Sequence, residues 1–392
     1  GMHGWTVGRA DESLFSWYQW VYYTQFRTGN YSSATTNFNY WPDYYIGINQ
    51  CSIFLKYIDL DKEDTPATLA YMKAEARFLR AMAYFRMLNC WGGVPYYDET
   101  CDINEEFAHL DAPRCTADEL RGHILDDLTD AIRKLPVSWD AADLGRATKG
   151  AAYALRGKVY LFNRQWDEAV ADFEEIVYNK TYNYGYSLHP DYNDLFRLYN
   201  GRHSDEMIFS IQSIDGNTAG YALDIVSYFG NKSTMRLIAG NRIVPSTTLV
   251  DMYENPDGSQ FDWDDVFPGF NAGDSQMRRR LMCVAIDQGS TEVTSTLDSD
   301  TTKVMDAYRV RDPRLCLNVI TPYSHYLGTD AGSSPMDKQC LPTPQKGARR
   351  WRPWPSYAIP KGGIRTFGAN GYLRATLTDI GVNTHAHPMN FR

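Results

Sequence analysis

Small and apolar residues recur three to four apart at Ala74, Phe78, Ala81, Tyr84, Phe85 and Leu88, a spacing that draws one stripe along an α-helix. Arg77, Arg80 and Arg86 fall off that stripe. Gly92 and Gly93 can take positive φ beyond a helix end and Pro95 forbids continuation, so the pattern predicts a packed helix with a firm stop. Upstream, Asp11 to Arg27 reads as an aromatic helix, followed by a polar loop. Trp41 to Leu60 reads as a second amphipathic helix, with Trp41, Tyr45, Ile48, Phe54 and Leu55 on or near one face. Downstream, Leu120, Ile124, Leu128, Ala131 and Leu135 line a helix from Thr116 to Leu135 that Pro136 ends. Thr116 with Glu119 three residues on has the form of a capping box.

Residues 147–177, ATKGAAYALRGKVYLFNRQWDEAVADFEEIV, carry a second ordered pattern. Tyr153, Gly157, Tyr160, Ala169 and Phe173 follow the tetratricopeptide order of aromatic, Gly, Tyr, Ala and Phe. Asn163-Arg164-Gln165 makes the turn, Trp166 opens the second helix, and Thr181 stands near the place of the usual terminal Pro. One helical hairpin cannot bury its face alone, so the preceding helices are its expected stacking partners. Beyond it the text changes. Residues 181–214 mix turns with a β-like run from Met207 to Ile211, and residues 215–392 are rich in Gly, Pro, Asn, Asp and Ser. Short helices are expected in 243–253 and 305–315, and a strand in 371–377. The expected fold is mostly α: tetratricopeptide-like repeats forming a superhelical scaffold over 1–200, fused to a loop-rich part, 201–392, with short helices and strands.

Several of these strings, in this order, resemble the SusD/RagB family of surface glycan-capture lipoproteins. AEARFLRAMAYFRMLNCWGGVP and ATKGAAYALRGKVYL are the most specific. WPDYYIGINQCSIFL is similar to a family helix, with Ser52 in place of the usual Asn. The LF…MIFSIQ, LVDMY, DPRL and GYLRATL strings follow, the last with Ala375 where the family carries Lys. The resemblance spans about residues 41–377. The family's lipid-accepting Cys and signal peptide are not seen ahead of Gly1-Met2, which reads as a tag remnant, and its usual final helices are not seen after Arg392. The chain therefore reads as truncated or short at both ends. The resemblance implies a non-catalytic protein, lipid-anchored at the outer-membrane surface, that captures oligosaccharide or polysaccharide and delivers it to a SusC-like TonB-dependent transporter. An all-helical glycoside hydrolase, a plain protein-binding scaffold and a peptide-capturing relative are the alternatives.

Composition narrows the partners. The 28 Tyr, 17 Phe and 10 Trp in 392 residues suit either a helical core or surfaces that stack on sugar rings. A net charge of −9, with no long basic run, is a poor match to nucleic acid. No apolar run approaches the ~20 residues of a membrane span. The seven cysteines form no CxxC; Cys51 and Cys90 read as small core residues, and Cys101 with Cys115 is a disfavoured disulfide. There is no HExxH, nucleophile elbow or phosphate loop, and no cofactor is expected. His385 and His387 lie near a chain end and read as solvated rather than metal-binding. The acids at 262, 264, 265, 298 and 300 suit an acid pair or Ca²⁺ in principle but read better as solvated loops. Sugar capture needs aromatic surfaces with a few hydrogen-bonding groups. Two stretches supply both: Trp20, Tyr23, Arg27 and Asn30 in 16–31, and Trp263, Phe270 and Asn271 in FDWDDVFPGFN.

Overall fold

The computed structural model describes residues 13–15, 32, 40–101, 113–192, 204–210, 243–245, 247–282, 285–286, 293–295, 300–320, 325–327, 348–350 and 390–391. Two compact units are present, one formed by residues 38–212 and the other by 1–37 with 213–392.

The first unit is helical. Helix α1 spans Trp41–Tyr57, with Pro42 in its first turn, and a 3₁₀ turn at Ile58–Leu60 follows. Helix α2 spans Pro66–Trp91, capped by Thr65, whose hydroxyl accepts from the Thr68 N–H. Helix α3 spans Ala117–Lys134 and has the full capping box: Thr116 Oγ1 accepts from Glu119 N–H at 3.2 Å, and Glu119 Oε2 accepts from Thr116 N–H at 2.8 Å. Helices α4, Lys149–Phe162, and α5, Trp166–Val177, form the hairpin. Each helix packs on the next in chain order. Their shared core holds Ile48, Phe78, Tyr84, Leu120, Ile124 and Leu128, all nearly inaccessible. Burial of each such aliphatic or aromatic side chain is worth roughly 1.5–3 kcal/mol.

The predicted stripe from Ala74 to Phe85 is the buried face of α2, and the predicted stripe of α3 is buried throughout. Gly157 explains the tight hairpin: a Cβ there would stand 2.7 Å from the Phe173 ring. Arg156 locks the two helices, donating through Nε and Nη2 to the Asp172 carboxylate at 2.8 and 2.7 Å and through Nη1 to Thr129 on α3. At the α2 stop, Gly92 has φ 71°. The segment after it is pinned. Tyr84 Oη accepts from Tyr97 N–H at 2.7 Å, Tyr45 Oη donates to Pro95 O at 2.7 Å, and Val94 is fully buried.

Four expectations are corrected. Residues 13–15 are a strand rather than part of a helix; Trp17 and the rest of 16–27 lie outside the described residues. Phe54 points outward, while Leu55 beside it is buried. Arg80, off the apolar stripe, is 2% exposed and makes a bidentate pair with Asp127 at 2.8 Å, plus a bond to Glu99 at 2.6 Å. Cys90 is exposed rather than in the core. Residues 207–210 form no strand; Ile208 and Phe209 instead pack on the helical core. Cys101 and Cys115 are free thiols, Cys115 donating to Val94 O.

In the second unit, strand β1 (Ser13–Phe15) pairs antiparallel with β2 (Ile243–Pro245), matching Leu14 to Val244. Strands β3 (Ala285–Ile286) and β4 (Val293–Ser295) pair likewise, as do β5 (Val319–Ile320) with β8 (Asn390–Phe391), and β6 (His325–Leu327) with β7 (Ala348–Arg350). Short helices α6 (Thr247–Asp251), α7 (Trp263–Val266), α8 (Ser275–Met282), α9 (Thr301–Arg309) and α10 (Pro313–Asn318) supply most of the packing. Their core joins Val250, Trp263, Phe270, Met282, Val304, Tyr308 and Leu315. Asp300 caps α9, accepting from Thr302 and Lys303 N–H at 3.0 Å, so this acid has a helix-terminal role. The expected strand at 371–377, Asp298 and the two C-terminal histidines lie outside the described residues.

Candidate functional site

In the loop-rich unit the chain turns at Gly258, φ 80°, and runs through Gln260-Phe261-Asp262 into α7. Asp262 is the N-cap of α7, its Oδ1 accepting from Asp264 N–H at 2.8 Å. A second turn, with Gly269 at φ 83°, brings Asn271 back over that cap. The Asn271 amide donates to Asp262 Oδ1 at 2.6 Å, and its backbone N–H donates to Asp264 at 2.8 Å. The loop thus closes on itself through two carboxylates.

A cavity of about 280 Å³ opens beside this loop, lined by Asp251, Gln260, Phe261, Asp262, Trp263 and Asn271. Phe261 and Trp263 meet edge to face at 5.0 Å, and the Trp263 Nε1–H donates to Asp251 Oδ1 at 3.1 Å. Behind Phe261, the Arg311 guanidinium lies 3.4 Å from the ring centroid, donating from Nε to Ala307 O and from Nη1 to Val250 O. Arg311 Nη1 also comes within 3.8 Å of Asp251. Burial pushes the Arg311 pKa below its ordinary value, yet stacking and the two carbonyls hold the cation in place. Arg278 braces the far side of the loop, donating to the Phe270 and Asn271 carbonyls at 2.9 and 2.6 Å.

The expected site residues divide. Trp263 and Asn271 both line the cavity, Asn271 exposed and Trp263 only 4% exposed. Phe270 is 1% exposed, stacked at 5.3 Å behind Trp263. Neither ring stands out as a free platform; the indole is part of a wall. Trp20, Tyr23, Arg27 and Asn30 lie outside the described residues. Sequence reading passed over Asp251, Gln260 and Phe261. The alternation Phe261-Asp-Trp263 was the available signal, since two rings two apart share a side of an extended segment. Among the described residues no group of three or more His, Cys, Asp or Glu is placed to hold a metal.

A charged network marks the helical unit. Arg80 and Arg77 converge on Glu99, Asp127 and Asp130, with Arg77 bonded to Asp130 and to Glu99 at 3.2 Å. Burial disfavours the charged Arg80, but its bonds to Asp127 and Glu99 win and raise its pKa. Burial likewise opposes ionisation of Glu99, yet the Arg80 hydrogen bond and the nearby cations hold its carboxyl at about 2. Every charge here has a partner from another helix or from the pinned segment, which is the chemistry of a brace.

Residues 5–161 match the family model SusD-like_3, described as "Starch-binding associating with outer membrane". SusD-like protein P25 of Formosa agariphila is 27% identical over 198 residues, covering 49% of this chain and 36% of the relative. The starch-binding protein SusD of Bacteroides thetaiotaomicron is 28% identical over 204 residues, or 50% of this chain and 34% of that protein. A SusD-like protein from Bacteroides fragilis has the same fold, with TM-score 0.63 and 22% identity over 90% of this chain and 65% of its own. Residues 5–161 of this chain thus resemble the SusD-like family. The aligned segments span about a third of the length of these curated relatives. The SusD-like match takes in α1 to α3 and nearly all of α4 but ends before the cavity at 251–271. A laminarin-binding SusD-like protein shares the fold at TM-score 0.52 and 18% identity, over 81% of this chain and 60% of its own.

Proposed function

We propose that this chain captures oligosaccharide or polysaccharide at the outer-membrane surface, without cleaving it, for delivery to a SusC-like TonB-dependent transporter. The observation that carries the reading is the cavity whose walls join two aromatic side chains to two amides and two carboxylates. The aromatic wall would meet sugar C–H groups, and the amides and carboxylates would fix hydroxyls. The family description, starch-binding and outer-membrane-associated, points the same way, as do the names of the starch- and laminarin-binding relatives.

Binding without cleavage is supported by the duties of the acids. Asp262 caps α7 and holds Asn271, while Asp251 accepts from Trp263 and faces Arg311. Among the described residues no helix is long and apolar enough to cross a membrane, and a lipid anchor on the N-terminal side would supply attachment. The helical region up to about residue 200 would present the face for the transporter, since helical repeats offer extended surfaces. The loop-rich remainder would hold the sugar, with Trp20, Tyr23, Arg27 and Asn30 as a second proposed contact set. Calorimetry against an oligosaccharide panel, with chromatography of the same samples, tests this: a saturable heat with no new product supports capture, and released product replaces it with hydrolysis.

A further inference from the structure

We infer that Arg311 is a positioning residue for the cavity, holding Phe261, Trp263 and Asp251 in the arrangement that receives a sugar unit; this deepens, and rests on, the proposal of glycan capture at this site. Arg311 stands just beyond Val310, the C-cap of α9, and is not among the lining residues, yet it reaches three of them. Its guanidinium carbon lies 3.4 Å from the centroid of the Phe261 ring, which is van der Waals contact with the ring face, and 5.5 Å from that of Trp263. Its Nη1 stands 3.8 Å from Asp251 Oδ1, the atom that accepts the Trp263 Nε1–H at 3.1 Å. One side chain outside the lining thus ties together two rings and a carboxylate within it.

The guanidinium is itself fixed from two sides. Nε donates to Ala307 O in the last turn of α9 at 2.8 Å, and Nη1 donates to Val250 O in α6 at 3.0 Å. The next residue, Asp312, donates its N–H to Glu254 O at 2.9 Å, so the backbone ties the same stretches. Held this way, the cation presents a flat face to Phe261, and a desolvated cation–ring contact is worth more than an exposed one. A planar fork can bond two carbonyls and cover a ring at once; a lysine ammonium is a point charge with no such face. Stability alone does not account for the residue. Arg311 is 2% exposed, its Nη2 is buried with no hydrogen-bond acceptor among the described residues, and a buried donor left unpaired is costly.

The test uses the full chain with Arg311→Lys, Phe261→Leu and the double variant, and with Arg309→Ala, an exposed arginine at the end of α9, as control. Linear α- and β-linked glucose oligosaccharides are titrated by calorimetry. Fluorine NMR of fluorotryptophan-labelled protein follows the Trp263 signal without ligand, that signal being identified by its loss in Trp263→Phe. Arg311→Lys should shift or broaden the Trp263 signal and weaken binding about tenfold, while Arg309→Ala behaves as the unaltered chain. Because Arg311 acts through the ring, Phe261→Leu should give a similar loss and the double variant little more than either. An unmoved Trp263 signal in folded Arg311→Lys, an unchanged affinity, or losses that simply add in the double variant would overturn the inference and leave capture standing. If Arg311→Lys does not fold, Phe261→Leu decides: a similar loss in the folded variant supports the inference, and undiminished binding overturns it. Absence of binding by the folded unaltered chain would overturn the capture reading itself, while the fluorine signal still reports whether Arg311 sets the wall.

Discussion

Arg80 shows how much of this molecule is decided by single charges. Its guanidinium is almost wholly buried, and its partners come from α3 and from the segment after the α2 stop. Arg80→Ala leaves Asp127 buried without its cation, and stability should fall by about 3–5 kcal/mol. Lys73→Ala removes an exposed pair with Asp59 and should cost less than about 1 kcal/mol. Urea denaturation separates the two; equal losses would contradict the role given to Arg80. Glu99 adds a pH dependence. Its folded pKa, about 2, lies below the ordinary 4.5, so it contributes stability above pH 4.5 that is lost as pH falls toward 2. The melting temperature should drop over that window, and Glu99→Gln should flatten part of the drop. A profile unchanged by Glu99→Gln would refute the assignment. None of this was visible in the sequence, where Arg80 and Asp127 stand 47 residues apart.

At the scale of elements, local chemistry made α3 legible. Thr116 and Glu119 announce the cap, five apolar residues mark the face, and all five are buried. Thr116→Ala should cost about 1 kcal/mol, read by thermal denaturation. Gly157 was legible in the tetratricopeptide pattern for a steric reason that the Phe173 ring supplies. Gly157→Ala forces the ring or the hairpin to shift, and about 1–3 kcal/mol of destabilisation is expected. A neutral or stabilising effect, as helix propensity alone would give, would contradict the close packing. Where pairing is non-local, the sequence reading failed. Ser13–Phe15 is a strand because Ile243–Pro245 lies beside it, more than two hundred residues along the chain, and no local period reports such a partner. The cavity was half legible: Trp263 and Asn271 were picked out by residue type, but the burial of Trp263, with Phe270 behind it, depends on Tyr308, Arg311 and Val250 from distant segments.

For the whole molecule, the two units carry separate cores, one of stacked helices and one of short helices around Trp263. Residues 38–212 expressed alone should therefore retain a helical circular dichroism spectrum and a cooperative melt; an unfolded fragment would contradict the self-sufficiency of the helical core. The family match lies in residues 5–161, whereas the cavity at 251–271 lies beyond them. Repeat packing is dictated by short-range periodicity, and the binding loop by contacts that cross long stretches of sequence. The central claim is that this chain holds glycan in the cavity at Gln260–Asn271 without cleaving it. The most direct measurement is the equilibrium affinity of the chain and its Gln260→Ala variant for a panel of oligosaccharides, with the mixtures checked for product. The account predicts saturable binding, weakened severalfold by Gln260→Ala at unchanged stability, with the ligand recovered intact. Cleaved ligand, or an affinity that Gln260→Ala does not alter, would contradict it.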